Sequence, residues 1–291
     1  MFHEFAPLHL NNAFHAGVQA GDCILLCYRD GEVLAAEGDD IVLPRLSMAE
    51  HLRDRLTYLF SIGDEAYCLP PADAVPDLRG FGWRTVMSLR YYDPQHLAFA
   101  CAVGHHLFRW YESHRFCGRC GQPTQPSETE RALICTSCGY TSYPTIMPAV
   151  IVGIIRGDSL LLTKYAGRPS AYWALVAGFA EIGESMEEAV RREAMEETGL
   201  NLRNITYYKS QPWPLTGSLL CGYFAEAVGD DPVCRDEHEL QEALFVPRQE
   251  IDVAYQGRAL TNEMICQFMR RGREGLLLED ALRQDPYQHK G

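Results

Sequence analysis

Three glutamates in the C-terminal half lie three or four positions apart. Residues 178–200 read GFAEIGESMEEAVRREAMEETGL and contain Glu193, Glu196 and Glu197. On a helix this spacing places the three carboxylates on one face, where they repel one another. A pair between Arg192 and Glu196 has the weaker orientation for a helix and does not account for the cluster. Either this is a solvated acidic surface, the commoner case for a charge run, or the oxygens bind Mg²⁺ or Mn²⁺.

The residues around these glutamates favour the metal site. Ser185 stands three positions before Glu188, which is typical of a capping box at the start of a helix. Gly199 is suited to end that helix, because glycine readily adopts the left-handed conformation of a helix C-terminus. We therefore predict a well-defined helix at about 185–198 that presents carboxylates at one place.

Four cysteines form two Cys-x-x-Cys pairs with fourteen residues between them, and they are Cys117, Cys120, Cys135 and Cys138. Two such knuckles can supply four thiolates in a tetrahedron, which predicts a structural zinc ion without an open position for catalysis. The alternative is a thiol redox switch. A role of this segment in nucleic-acid binding has weak support, because its three arginines are offset by two glutamates.

The composition is that of a folded, acidic protein. The 291 residues include 26 Lys and Arg against 39 Asp and Glu, a formal net charge of −13, with 47% hydrophobic and 22% charged residues. These values argue against a largely disordered chain and against a wide basic surface for nucleic acid. The longest apolar run, at 146–155, is too short to cross a membrane. No signal peptide is predicted at the N-terminus.

Cysteine usage predicts a reducing, cytoplasmic compartment, because eleven cysteines cannot all be paired. Outside the two knuckles, seven cysteines are scattered and are expected to be small buried hydrophobic residues. They are Cys23, Cys27, Cys68, Cys101, Cys221, Cys234 and Cys266.

Periodicity and turn signals predict the remaining elements. Strands are expected at 22–28, 85–92, 204–209, 218–227 and 243–246, and a hairpin at 149–156 and 159–165. Helices are expected from 93 to about 110 and at about 258–271, with one or two further turns after Arg273.

The glutamate segment resembles the Nudix box, GX5EX7REUXEEXGU. Gly178, Glu184 and the run REAMEETGL at 192–200 fill every fixed position, with Ala194 as a small residue in an aliphatic slot. A full match of this length is highly specific. The resemblance implies an α+β fold in which a mixed sheet is sandwiched between helices, and hydrolysis of a nucleoside diphosphate joined to another group.

A second motif is similar to a segment of the NAD(H) pyrophosphatases within this family. Residues 210–220 read SQPWPLTGSLL, where that group has SQPWPFPxS, and the cysteine knuckles precede the box as they do in that group. The resemblance covers about residues 95–246. Leu215 and Thr216 replace the usual Phe and Pro, which leaves the substrate preference open. Trp213 could equally anchor a rigid turn in the core.

The resemblance implies an organisation into domains. We predict an N-terminal mixed α/β domain at 1–112, a small zinc ribbon at 113–142, a Nudix hydrolase domain with an α-β-α sandwich at 143–275 and a C-terminal tail at 276–291.

The resemblance also implies the site residues. Glu193, Glu197, Glu239 and the backbone carbonyl of Ala177 would hold magnesium or manganese, and Arg192 would steer the carboxylates. The general base is left open among Glu196, Glu197 and Glu239. The implied substrate-binding residues are Tyr143, Phe179, Gln211, Pro212, Trp213, Pro214, Leu215, Thr216, Gly217 and Ser218. For Tyr143, a core position at the domain boundary is nearly as good an interpretation.

The implied reaction is hydrolysis of NAD(H) to nicotinamide mononucleotide and AMP, with one structural zinc per chain and catalytic magnesium or manganese. Alternatives are removal of NAD caps from RNA 5′ ends by the same site, and hydrolysis of ADP-ribose or another dinucleotide. A non-catalytic nucleotide-binding module is disfavoured, because all box glutamates are present. The resemblance further implies a homodimer, and no membrane partner is expected.

Overall fold

The computed structural model describes residues 1–18, 21–167 and 172–277. These residues separate into two compact units. Of the described residues, one unit holds 2–146 and 213–217, and the other holds Met1, 147–212 and 218–277. Within the described part of the chain, none of the helices has the length and hydropathy needed to span a membrane.

The unit that contains residues 2–146 begins with two small sheets and a long helix. One sheet has the strand order β1-β5-β6-β2 and the other has the order β3-β4-β7. The strands are β1 (Leu10–Asn11), β2 (Ile24–Leu25), β3 (Tyr28–Arg29), β4 (Glu32–Ala36), β5 (Thr57–Ile62), β6 (Glu65–Leu69) and β7 (Phe81–Thr85). The helices are α1 (Val86–Leu89) and α2 (Gln95–Ser113). Phe60, Tyr67 and Phe99 are among the large side chains in the core of this unit.

Three short strands follow α2 and carry the cysteine knuckles. They are β8 (Thr124–Pro126), β9 (Leu133–Cys135) and β10 (Thr141–Ser142), in the order β10-β9-β8. Leu133 and Cys135 are buried, whereas most of the neighbouring side chains are exposed. So few apolar side chains give this segment little core of its own, which is the situation in which a bound metal supplies folding energy.

The other unit is built on a six-stranded mixed sheet with a helix on each face. Its strands are β11 (Met147–Arg156), β12 (Ser159–Tyr165), β13 (Val176–Phe179), β14 (Leu202–Trp213), β15 (Ser218–Ala227) and β16 (Leu240–Pro247). The order is β14-β15-β11-β12-β16, and β13 also pairs with β11. The helices are α3 (Met186–Thr198) and α4 (Leu260–Arg271).

Two hydrophobic clusters lie on opposite faces of this sheet. Ile151 and Phe224 pack with Phe268 of α4, whereas Val150 and Tyr223 pack with Val190 and other residues of α3. Alternate residues of β11 and β15 therefore reach different helices, as the period of a strand requires. The predicted α-β-α sandwich, zinc ribbon and mixed N-terminal domain are confirmed.

Most of the elements predicted from the sequence are present, but one was wrong. The segment 85–92, predicted as a strand, contains only the last residue of β7 and then turns into α1. Its β-branched and aromatic residues suggested a strand, but the backbone turns helical directly after Thr85, where Ser88 Oγ donates a hydrogen bond to the Thr85 carbonyl at 2.8 Å. The helical turns expected after Arg273 fall mostly on residues outside the described part.

Five of the seven scattered cysteines are buried as predicted, and Cys221 is half-buried. Cys234 is exposed, so the prediction of a buried hydrophobic residue was wrong there. It lies in the loop that leads to β16, where its backbone N–H donates to the Thr198 carbonyl at 2.9 Å. The position is set by this backbone contact rather than by burial of the thiol.

Candidate functional site

Helix α3 begins and ends where its sequence signals place it. Ser185 Oγ accepts a hydrogen bond from the Glu188 backbone N–H at 3.3 Å, and the Glu188 carboxylate accepts from the Ser185 N–H at 2.7 Å. This is the reciprocal capping box. Gly199 ends the helix with φ of 70°, in the left-handed region that glycine adopts without strain. The helix therefore has a fixed register, and its carboxylates have fixed positions.

Only two of the three clustered glutamates point to the interior. Glu193 and Glu197 are 9% and 1% exposed, and they lie one turn apart on the face that also buries Val190. The Glu196 side chain is 59% exposed. The single face expected from the spacing is thus divided into a buried pair and an outer carboxylate.

Gly178 makes room for Glu193. A Cβ added at Gly178 would lie 2.0 Å from the Glu193 carboxyl carbon, so no larger residue fits without displacing that side chain. Gly178 belongs to β13, where it pairs with Val150 of β11. The glycine of the box therefore lets a carboxylate rest directly against the backbone of the sheet.

Arg192 joins the strand, the preceding loop and the helix. Its guanidinium donates to both Glu184 oxygens at 2.6 and 2.9 Å, to Glu193 at 2.7 Å, to Glu196 at 3.0 Å and to the Phe179 carbonyl at 2.8 Å. Its hydrogen bonds lower the pKa of Glu184 to about 2. A planar guanidinium suits such simultaneous pairing, because its donors have a fixed fork geometry.

Glu197 is a buried carboxylate without a partner. Neither of its carboxylate oxygens has a hydrogen-bond donor. Burial, followed by the negative charges of Glu239 and Glu193, raises the pKa of Glu197 to about 8. Burial also raises the pKa of Glu193. An ionised carboxylate in such a place is costly unless a cation accompanies it.

The loop before β16 brings further carboxylates to this point. The Asp236 backbone N–H donates to the Glu197 carbonyl at 2.9 Å, and the Asp236 carbonyl accepts from the Glu239 N–H at 3.2 Å. Asp236 also raises the pKa of Glu197. This residue was not singled out in the sequence, where nothing but its position three residues before Glu239 marks it.

These residues fit a divalent cation of the hard, oxygen-binding class. Two unsatisfied buried oxygens, a second buried carboxylate and the nearby charge of Glu239 are the donor set that Mg²⁺ or Mn²⁺ prefers. The backbone N–H of Ala177, in β13 beside Gly178, approaches the Glu197 carboxylate and opposes the rise in its pKa, but it is not aligned for a full hydrogen bond. A cation at this place would stabilise the ionised form of Glu197, which burial otherwise disfavours.

The four knuckle cysteines also fit their predicted metal. Their sulfur atoms all lie within 4.8 Å of one another, close enough to share one metal ion. The Cys117–Cys138 and Cys120–Cys135 sulfur pairs are 3.6 and 3.5 Å apart. Tetrahedral zinc with thiolate ligands needs sulfur separations of about 3.8 Å. Backbone amides, above all that of Cys138, lower the pKa of Cys135 to about 7, which favours the thiolate.

Gln211, expected to contact substrate, is fully buried, and both ends of its side chain are bonded. Its Nε2 donates to the Arg258 carbonyl at 2.8 Å, and its Oε1 accepts from the Leu260 N–H at 2.8 Å. This geometry therefore favours a structural role for the Gln211 side chain over direct contact with a ligand.

The rest of the SQPWP segment forms a turn whose inner side chains are buried. The Thr216 N–H donates to the Trp213 carbonyl at 3.2 Å. Trp213 packs edge-on against Phe2, with ring centroids 6.0 Å apart, and Leu215 belongs to the same core. Within this stretch Pro214, Gly217 and Ser218 are buried, Pro212 is half-buried and Thr216 is exposed. The geometry supports the alternative of a rigid turn anchored by Trp213.

Two aromatic candidates are accessible. Phe179 ends β13 and is 50% exposed. Tyr143 follows β10, is 54% exposed and donates to the Glu130 carboxylate at 3.0 Å. Because Tyr143 is exposed, a core position for it is not supported.

Comparison with known families finds one match over each of the two candidate sites. The family model described as NUDIX domain matches residues 145–268, and that of the NADH pyrophosphatase zinc ribbon domain matches residues 112–143. Residues 145–268 therefore form a Nudix domain. This match contains the carboxylate cluster, and the zinc-ribbon match contains all four knuckle cysteines.

Curated relatives match about half of the chain. The NAD-capped RNA hydrolase NudC of Salmonella schwarzengrund is 45% identical over 140 residues, which are 48% of this chain and 54% of the relative. The protein of the same name from Citrobacter koseri is 44% identical over 140 residues, with the same shares. The chain thus spans about half the length of the curated relatives it matches.

Among solved structures, a NUDIX hydrolase from Nitrosomonas europaea is similar at 24% identity. The match covers 56% of this chain and 94% of that chain, with a TM-score of 0.47.

Proposed function

We propose that this protein hydrolyses the diphosphate of NAD(H), giving nicotinamide mononucleotide and AMP, with a divalent cation of the Mg²⁺ or Mn²⁺ class. The observation that carries the proposal is Glu197, a buried carboxylate with two unpartnered oxygens inside a complete Nudix box. Such a group is costly to keep unless it binds a cation. The name of the NudC relatives, NAD-capped RNA hydrolase, supports an NAD-containing substrate.

We assign the cation to Glu193, Glu197, Glu239 and the Ala177 carbonyl. When bound, such an ion neutralises charge on the diphosphate and lowers the pKa of water. Arg192 holds Glu193 and the neighbouring Glu196 in place through its hydrogen bonds. The protein's own contribution is thus a set of carboxylates whose positions are fixed before substrate arrives.

The reaction forms one phosphorus–oxygen bond to water and breaks one to the bridging oxygen. The water proton passes to a carboxylate, and the bridging oxygen leaves with one of the two phosphates. Glu196, Glu197 and Glu239 stay candidates for the general base. Glu196 and Glu239 are the exposed members, so substrate and water reach them most readily.

We assign Phe179 to stacking on a base of the substrate. It is half exposed, and its carbonyl is tied to Arg192, so the ring lies at the edge of the carboxylate site. Tyr143 and the turn at 213–217 stay predictions as substrate contacts. The predicted domain limits, the homodimer and the cytoplasmic location also stay predictions.

The test is direct. Purified protein is incubated with NADH and either Mg²⁺ or Mn²⁺, and the products are separated by chromatography. We expect AMP and reduced nicotinamide mononucleotide in equal amounts, and none without added ion. Absence of AMP with both ions would refute the proposal.

A second candidate is removal of an NAD cap from the 5′ end of RNA by the same carboxylates. The names of the two curated relatives favour it. The net charge of −13 argues against a wide RNA-binding surface, but a 5′ end needs only a local one. Turnover of NADH and of an NAD-capped RNA under the same conditions ranks the two substrates, and ADP-ribose serves as the third.

A further inference from the structure

Two side-chain amides hold the loop before α4. Gln211 binds the Arg258 carbonyl and the Leu260 N–H, as described above. Asn262, in the first turn of α4, likewise binds two backbone groups, which lie nearer the start of the loop. Its Oδ1 accepts from the Gln256 N–H at 2.7 Å, and its Nδ2 donates to the Ala254 carbonyl at 2.9 Å.

This loop, residues 254–259, has no strand or helix of its own. Surface loops usually satisfy their backbone groups with water and remain mobile. Here four backbone groups in and just beyond the loop are bound by two side chains, and one of those side chains is fully buried. The arrangement fixes the loop conformation rather than leaving it to solvent.

The sheet places this loop at the same end as Phe179. Phe179 lies opposite Ala149, and Ala149 lies beside Leu220. Leu220 is two residues into β15, and Gln211 is two residues before the end of β14, its hairpin partner. Phe179 and Gln211 are therefore separated across four neighbouring strands, β13, β11, β15 and β14. Three strand spacings amount to about 14 Å. Separation on this scale suits two bases of one dinucleotide.

The loop presents an aromatic ring. Tyr255 is 58% exposed. Gly257 has a φ of 73°, and a Cβ added there would lie 3.5 Å from the Tyr255 ring, so the ring rests over the glycine backbone. An exposed ring in a fixed loop is a stacking surface with a low entropy cost of binding.

We propose that Gln211 and Asn262 are positioning residues that hold loop 254–259 as the binding loop for the nucleoside half lying away from Phe179, with Tyr255 as its stacking surface. This inference rests on the proposed dinucleotide hydrolysis. It reassigns Gln211 from contact with substrate to support of a loop, and it adds a second, distant contact to the substrate site.

The first experiment compares Gln211→Met, Asn262→Ala and the double variant, with NADH as substrate. Each single change is expected to raise KM about tenfold with kcat within about twofold, because loop order is lost rather than the reacting groups. The double variant should resemble the single ones, since both act on one loop. Gln249→Met and Asn201→Ala, at exposed positions, are the matched controls.

The second experiment tests the ring. Tyr255→Leu should raise KM to a similar extent, whereas Tyr255→Phe should retain the wild-type value because it keeps the aromatic face. Additive effects of Gln211→Met and Asn262→Ala, a loss confined to kcat, or a wild-type KM for Tyr255→Leu would each overturn the inference.

Hydrogen exchange separates this inference from the proposed activity. AMP or nicotinamide mononucleotide, added separately, should protect the Gln256 and Leu260 amides in the wild-type protein, and less so in Gln211→Met. Protection by neither nucleotide would overturn the inference even if NADH is hydrolysed. Protection without AMP formation from NADH would support the loop assignment and refute only the proposed reaction.

Discussion

The two candidate metal sites of this protein differ in how they are assembled. The four sulfurs come from two knuckles close in sequence and already lie 3.5 and 3.6 Å apart in pairs. The carboxylates come from a helix and a distant loop and lie against a strand, and the most buried of them has no side-chain hydrogen-bond partner. Local turns suffice to build the first site, whereas the second exists only when three parts of the fold meet.

The comparison shows how the two sites relate to stability. Thiolates around zinc contribute folding energy to a segment with few buried apolar residues. The buried carboxylates instead oppose folding, because their charge is poorly solvated. A metal at the first site would stabilise the fold, whereas a cation at the second site would offset the free-energy cost of burying carboxylates. Four predictions test this contrast.

Cys117→Ser should have the largest effect. Loss of one thiolate should reduce the zinc content well below one per chain and remove much of a binding free energy that is on the order of 10 kcal/mol in structural sites. Zinc content is measured by elemental analysis and unfolding by circular dichroism, with exposed Cys234→Ser as control. A variant that stays fully folded and loses only catalysis would contradict a structural role.

Glu197→Gln should nearly abolish turnover while leaving the zinc content unchanged. Loss of the buried carboxylate removes a central cation ligand, so we expect a decrease in kcat of about 10³-fold. The rate of AMP formation is compared with that of Glu187→Gln, an exposed glutamate in the first turn of α3. A near-normal rate would exclude the assigned role.

Gly178→Ala should lower activity less severely. The added methyl group would meet the Glu193 carboxylate at about its own position, so that side chain must move. We expect a 10- to 100-fold loss of kcat, typical of a misplaced ligand. Gly118→Ala is the matched control, since a Cβ there has nothing within 4 Å. Equal activity of the two variants would show that catalysis does not depend on the position of the Glu193 carboxylate against Gly178.

The fourth prediction concerns the pH dependence of stability without metal. The pKa of Glu197 is raised from 4.5 to about 8, so the unfolded chain loses this proton near pH 4.5 while the folded protein retains it. The contribution of Glu197 to stability should therefore fall as pH rises from 4.5 to 8 and then level off, by roughly a few kcal/mol. Denaturant unfolding without Mg²⁺ or Mn²⁺ measures it.

The matched comparison is Glu197→Gln, whose stability should not show this fall between pH 4.5 and 8. Adding Mn²⁺ at pH 8 should stabilise the wild-type protein and not the variant. A wild-type curve that runs parallel to that of the variant between pH 4.5 and 8 would remove the argument that burial suppresses the charge of Glu197.

Sequence reasoning worked where a signal is local. Ser185, Glu188 and Gly199 predicted α3 nearly to the residue, because caps are made within one turn of the helix. It failed at 85–92, where residues typical of strands are overridden by a turn into α1. It also overstated the shared face of the glutamates, because Glu196 directly precedes the buried Glu197 and one residue rotates a helix by about 100°, which leaves the Glu196 side chain 59% exposed.

The amino-acid sequence by itself determined the two sets of ligands and the element that carries most of each. Types and spacings suffice for that, because knuckles and capped helices are short-range structures. Only the tertiary structure decided that Glu197 has no partner, that Asp236 lies beside it and that Gln211 supports a loop. Those facts depend on burial and on contacts between segments far apart in the chain, which no local pattern records.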